Sequence, residues 1–222
     1  MLKRFGKSAI VILALVLLAG CASSNFRPTR EGEPIQLIVG TVAAPGSPWF
    51  MNKRPYISEN PPQVIHELLT GYNKYDYYYG RLLTAGIGPI GTSPEDAPMN
   101  GNEAILVYSK MWKLEPDFSG QAFDEVKQRL VEAYARKGMA VTDVKDISQE
   151  YADKLKFWTG SMFALAYKAA GVDYRVMHAF ALHPSKRPNA QIVNDFSFIR
   201  MEKADAQDHF GDYISMLKSA RE

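Results

Sequence analysis

The chain has 222 residues, with 26 Lys and Arg against 24 Asp and Glu, a net charge of +2. So even a balance gives no bulk electrostatic case for binding nucleic acid. Hydrophobic residues make up 46% and aromatic residues 12%, enough for a sizeable core, but a single cysteine allows no disulfide within the chain.

Lys3, Arg4 and Lys7 precede an eleven-residue apolar run, Ala9 to Ala19, and small residues follow. That is the layout of a secretory signal peptide. The run falls short of the roughly 20 residues that a membrane-spanning helix needs. The lone cysteine closes the sequence Leu18-Ala19-Gly20-Cys21. This junction resembles the lipobox of bacterial lipoproteins. The resemblance implies cleavage before Cys21, a diacylglycerol on its sulfur, and often acylation of the new amino group. Residues 1–20 are then a signal peptide and Cys21 the first mature residue. Two or three acyl chains anchor firmly where one binds reversibly, each buried CH₂ being worth roughly 0.8 kcal/mol. Ala22 rather than Asp follows the cysteine, which by the same resemblance implies the outer membrane, facing the periplasm. Removing the three basic residues of the signal from 26 leaves 23 against 24 acidic residues, so the mature chain is close to neutral. With its thiol acylated, it has no cysteine nucleophile and no thiolate metal ligand.

Residues 21–34, punctuated by Pro28, Gly32 and Pro34, read as a lipidated tether. About a dozen residues reach roughly 30–40 Å at full extension. Residues 35–222 are expected to form one α+β domain. Its sheet is expected to be small, mixed or antiparallel, with helices packed on it and a C-terminal β-hairpin followed by a helix.

Ile35–Ala44 reads as the first strand. A loop from Pro45 to Asn60 follows, carrying Trp49, Phe50 and Tyr56. Asn60 before Pro61-Pro62 opens a helix. Residues 86–103, with Gly86, Gly88, Gly91, Gly101, Pro89, Pro94 and Pro98, read as an irregular loop of the kind that covers binding sites. Ala104–Ser109 is a buried strand. A helix from about Ser119 to Lys137 sets Phe123, Val126, Leu130 and Tyr134 on one stripe, and Met139–Val144 is a short strand. Ser148–Ala170, stopped by Gly171, is expected to be a long helix. From Phe157 onward it is apolar almost all round, the mark of a central core helix. Tyr174–His183 and Ala190–Met201 predict a hairpin whose tip carries Lys186 and Arg187 between Pro184 and Pro188. A final helix over 204–219 sets Asp205 and Asp208 in its first turn.

Among chemistry-bearing motifs, Gly86-Ile87-Gly88-Pro89-Ile90-Gly91 has the dinucleotide-loop spacing. Pro94 and Pro98 follow where that motif needs a helix, so no cofactor is expected. His66-Glu67 has Thr70 four residues after the histidine, not a second histidine, and His178 and His183 fall on opposite faces of one strand. No metal is expected. His178 faces the strand that holds Asn194 and Asp195. A His178–Asp195 pair has the makings of a base with its orienting carboxylate, provided that a hydroxyl such as Ser161 joins it. No G-x-S-x-G elbow supplies such a nucleophile. Trp49, Tyr72, Tyr75, Tyr78 and Tyr79, with Lys186 and Arg187, are the residues expected on an interaction surface, since aromatic side chains and arginine concentrate where interfaces form.

Together these features lead us to expect a lipid-anchored envelope protein that binds a protein partner as accessory, scaffold or inhibitor. It is expected to bind the membrane through its lipid and no nucleic acid. The rival expectations are a periplasm-facing hydrolase acting on cell wall or glycan, and a sugar or small-molecule binder built from the Tyr72–Tyr79 run and the 86–103 loop.

Overall fold

The computed structural model describes residues 26–54, 56–57, 78–85, 103–113, 122–136, 139–153, 160–169, 171–202 and 208–221. In chain order the strands are β1 (Phe26–Pro28), β2 (Pro34–Gln36), β3 (Thr41–Ala43), β4 (Trp49–Asn52), β5 (Tyr56–Ile57) and β6 (Tyr78–Ala85). They continue with β7 (Glu103–Lys113), β8 (Ala140–Asp146), β9 (Gly160–Ala169), β10 (Val172–Pro184) and β11 (Ala190–Met201). The helices are α1 (Ala122–Arg136), α2 (Ser148–Tyr151) and α3 (Phe210–Lys218).

Nine of these strands form one antiparallel sheet in the order β1-β4-β6-β7-β11-β10-β9-β8, with β5 beside β6. The antiparallel sheet is expected from the sequence, but it is larger than the small sheet expected. The chain is sheet-rich with few helices, and its C-terminal strand is followed by a helix. Among the described residues, no helix is long and apolar enough to cross a membrane.

The largest correction falls on residues 148–170. Among the described residues there, only Ser148–Tyr151 is helical, and Gly160–Ala169 is the strand β9. Phe163, Leu165 and Tyr167 enter one core cluster, while Met162 lies in the other with Ala164 packed against it. A strand buried on both faces reads as a continuous apolar run, and periodicity alone cannot tell it from a buried helix. Gly171, expected to stop a helix, instead adopts φ +81° in the tight connection between β9 and β10. Its lack of a Cβ makes that left-handed backbone accessible.

The two cores follow from the alternation of side chains across the strands. On one face, Leu106, Tyr108, Phe180, Val193 and Ile199 pack with Val126, Leu130 and Tyr134 of α1. On the other, Ile105, Val107, Phe196 and Phe198 pack with Tyr213, Ile214, Met216 and Leu217 of α3. Each such side chain, fully buried, contributes about 1.5–3 kcal/mol. The expected strand Ile35–Ala44 is a hairpin of β2 and β3, turned at Gly40 with φ +82°. Its Ile35, Leu37 and Val42 complete the second core. Arg221 exchanges backbone hydrogen bonds with Thr41 (2.8 and 2.9 Å), tying the chain's last described residue to this hairpin.

The expected tether also changes. From Phe26 it is part of the fold: β1 pairs with β4, Thr29 donates its amide to the Trp49 carbonyl at 3.0 Å, and Arg27 pairs with Glu33. The expected loop from Pro45 to Asn60 supplies β4 and β5. The last helix starts at Phe210. Asp208 lies before it and accepts the Phe210 amide at 3.0 Å. The signal peptide, Cys21, the helix expected from Asn60 and residues 86–102 lie outside the described residues.

Candidate functional site

Beneath α1 the sheet carries a run of polar side chains inside an otherwise apolar core. In the register of β10 and β11, His178 lies opposite Ser197 and Phe180 opposite Asp195. On the far side of β11, Asp195 lies opposite Tyr108 of β7. Even residues of β10 and odd residues of β11 point to this face, so His178, Asp195 and Ser197 converge there. His178 Nδ1 lies 3.1 Å from both carboxylate oxygens of Asp195 and 3.0 Å from Ser197 Oγ. Tyr108 donates its hydroxyl to Asp195 at 2.6 Å, and Tyr134 from α1 sets its hydroxyl 3.0 Å from His178 Nε2. Phe163 stacks on the imidazole, with ring centroids 4.9 Å apart and planes 12° apart.

The partners assign the protons. Asp195 accepts from Tyr108 and from Nδ1–H, which leaves Nε2 to accept from Tyr134. The Tyr108, Tyr134 and His178 donors then each face an acceptor, as a buried polar group requires. The side chains of His178 and Asp195 are 1% and 0% exposed.

The pair expected from the sequence is thus brought together, but under a helix and not in a cleft. Its geometry also differs from that of a nucleophile with its base. Ser197 shares Nδ1 with the carboxylate, whereas a serine nucleophile addresses the opposite nitrogen. That nitrogen is occupied by Tyr134, and burial pushes the Tyr134 hydroxyl well above its ordinary pKa, away from activation. Ser161 does not join the pair; its Oγ is 3.2 Å from Ser148 Oγ.

Asn194, expected as an alternative partner of His178, faces the other side of the sheet. Its amide donates to the Val39 carbonyl at 2.8 Å and lies 3.0 Å from His183 Nε2, and its oxygen accepts from Ser109 at 2.5 Å. Ser109 accepts the Ile38 amide at 3.1 Å, so this cluster pins the β2–β3 turn to the sheet.

A second carboxylate–imidazole pair was not legible in the sequence. Glu103, at the start of β7, accepts His209 Nδ1 at 2.6 Å and the His209 amide at 3.2 and 3.3 Å. Glu103 is 1% exposed and His209 20%. Trp49 meets the His209 ring edge-on at 5.9 Å and donates its indole N–H to Asp212 at 2.8 Å. The two partners are 106 positions apart, and no motif links them.

Of the residues expected on an interaction surface, Trp49 is corrected. It is 1% exposed, and this amphipathic side chain serves the core and α3. Lys186 and Arg187 are exposed at the β10–β11 tip. In β6, Tyr78 and Tyr79 lie opposite Lys110 and Ser109. Tyr72, Tyr75 and Cys21 lie outside the described residues. Among the described residues, no three His, Cys, Asp or Glu side chains gather as metal ligands would. Comparison of the chain with protein-family models, curated proteins and solved structures found no match.

Proposed function

We propose that this chain is a lipid-anchored protein of the cell envelope, held at the outer membrane facing the periplasm, that works by binding another protein as accessory, scaffold or inhibitor. The anchor rests on Leu18-Ala19-Gly20-Cys21 behind its apolar run. One observation carries the choice of binder over hydrolase. The His178–Asp195–Ser197 cluster that a hydrolase would use is buried, with both outer tyrosines engaged. A group sealed in this way braces the core and meets no substrate. On this reading the domain is of α+β class, with α1 and α3 closing opposite faces of the sheet.

Affinity purification of the full-length lipidated protein from its own envelope, followed by reconstitution with the recovered partner, tests the proposal. A complex of fixed stoichiometry is expected. Turnover of wall or glycan fragments by the purified protein, abolished in His178→Ala while the fold is retained, would overturn it.

A further inference from the structure

The register fixes how far the anchor stands from the folded domain. Because β1 is paired from Phe26, only residues 22–25 separate Cys21 from the sheet. Five Cα steps reach at most about 18 Å, not the 30–40 Å of a tether running to Pro34. A compact domain of this size has a radius of gyration of roughly 16 Å. Acyl chains buried in a bilayer therefore hold the domain's surface against the headgroups.

The register also orients β1 against the central strands. Pro28 pairs with Phe50, Phe50 with Thr84, Thr84 with Ala104 and Ala104 with Ile199. By the same path Arg27 shares a rung with Phe198, and Phe26 lies one rung further back, toward Ser197. β1 therefore runs away from the rung of Ala190, with Phe26 as its end nearer that rung. Twist of roughly 20–25° per pairing turns β1 well away from the axis of β11. The start of β1 and the β10–β11 tip thus lie at two separate places in the sheet.

The tip is built to present charge. β10 runs three residues beyond Ala181, which pairs with the first residue of β9. Its turn holds Pro184 and Pro188, the Arg187 amide donates to Ser185 Oγ at 3.1 Å, and Asn189 adopts φ +56°. Lys186 and Arg187 are exposed, and neither forms an ion pair among the described residues. Glu150, near the start of β9, is matched by Lys145 at 3.5 Å. The far end of the same hairpin differs: Lys168 pairs with Asp173 at 3.6 Å and Arg175 with Glu202 at 3.4 Å.

We infer that the Pro184–Ala190 tip docks on the anionic headgroups of the bilayer that holds the Cys21 acyl chains, so that the domain lies on the membrane in one orientation. This rests on the lipidation reading above. Each basic side chain at an anionic surface is worth roughly fivefold in partitioning, too little to recruit a free domain but enough to orient an anchored one.

The test uses the full-length lipidated protein in vesicles of phosphatidylcholine and phosphatidylglycerol, with a fluorophore on Lys186→Cys or, in a separate sample, on Asp173→Cys. Nitroxide-labelled headgroups serve as quencher, and Arg187 remains in both samples. Several-fold stronger quenching at 186 than at 173 is expected, with the difference shrinking when Arg187→Glu is added. Equal quenching, or stronger quenching at 173, with Cys21 shown by mass to be acylated, overturns the orientation and leaves the anchor standing. A Cys21 of unmodified mass overturns both.

Discussion

Two carboxylate–imidazole pairs occupy opposite faces of one sheet, and they differ in what surrounds them. His178 and Asp195 are closed in by Tyr108, Tyr134, Ser197 and Phe163. His209 and Glu103 sit just before α3, where the carboxylate also accepts the amide of His209 and the imidazole is 20% exposed. Both pairs join an imidazole to a buried carboxylate, and the burial of the histidine separates them. The sealed pair is a brace whose strength depends on satisfying every polar atom at once. The rim pair fastens α3 to β7 with one neighbour in water.

If that contrast holds, the largest effect belongs to Asp195→Ala. It strips His178 and Tyr108 of their shared acceptor within the core and is expected to lower the unfolding free energy by about 3–5 kcal/mol in urea titration. Tyr134→Phe keeps the ring against Tyr167 and Leu130 but leaves His178 Nε2 without its donor; a loss of about 1–3 kcal/mol is expected. Glu103→Gln retains an oxygen to accept the His209 amide, and the His209 ring it leaves reaches solvent, so about 1 kcal/mol is expected. A Glu103→Gln loss as large as that of Asp195→Ala would erase the distinction between the two sites.

What could be read from the sequence follows the range of the signals. The β10–β11 hairpin was legible because both strands carry β-branched and aromatic residues and prolines bracket the tip. The His178–Asp195 pair was legible with it, because a hairpin sets register locally. Helix α1 announced itself by the stripe Val126, Leu130, Tyr134. Residues 160–169 misled because both faces are covered. The alternation of large Phe163, Leu165 and Tyr167 with small Ala164 and Ala166 was the period-two signal to weigh against their overall hydrophobicity. Trp49 was placed on a surface because its surroundings looked like a loop, and the partner that buries it, α3, lies some 160 positions away. Glu103–His209 has the same cause. Long-range pairs of this kind depend on strand order, which local composition does not carry.

The part played by Tyr108 and Tyr134 was hidden for a related reason. Each is an ordinary core residue by pattern. Only the packing of α1 over β10, and of β7 beside β11, turns their hydroxyls toward His178 and Asp195. A polar residue expected at the core face of a strand is therefore a prompt to look for tyrosines on the elements that cover it.

Residue-resolved carbethoxylation of the folded protein by diethyl pyrocarbonate tests most directly whether the His178 cluster is a brace or a site. His209 is expected to react in the native state. His178 is expected to stay protected until the whole domain unfolds, with its rate following denaturant as global unfolding does. Native-state modification of His178 at a rate matching His209 would contradict the account and return the cluster to consideration as a place where chemistry is done.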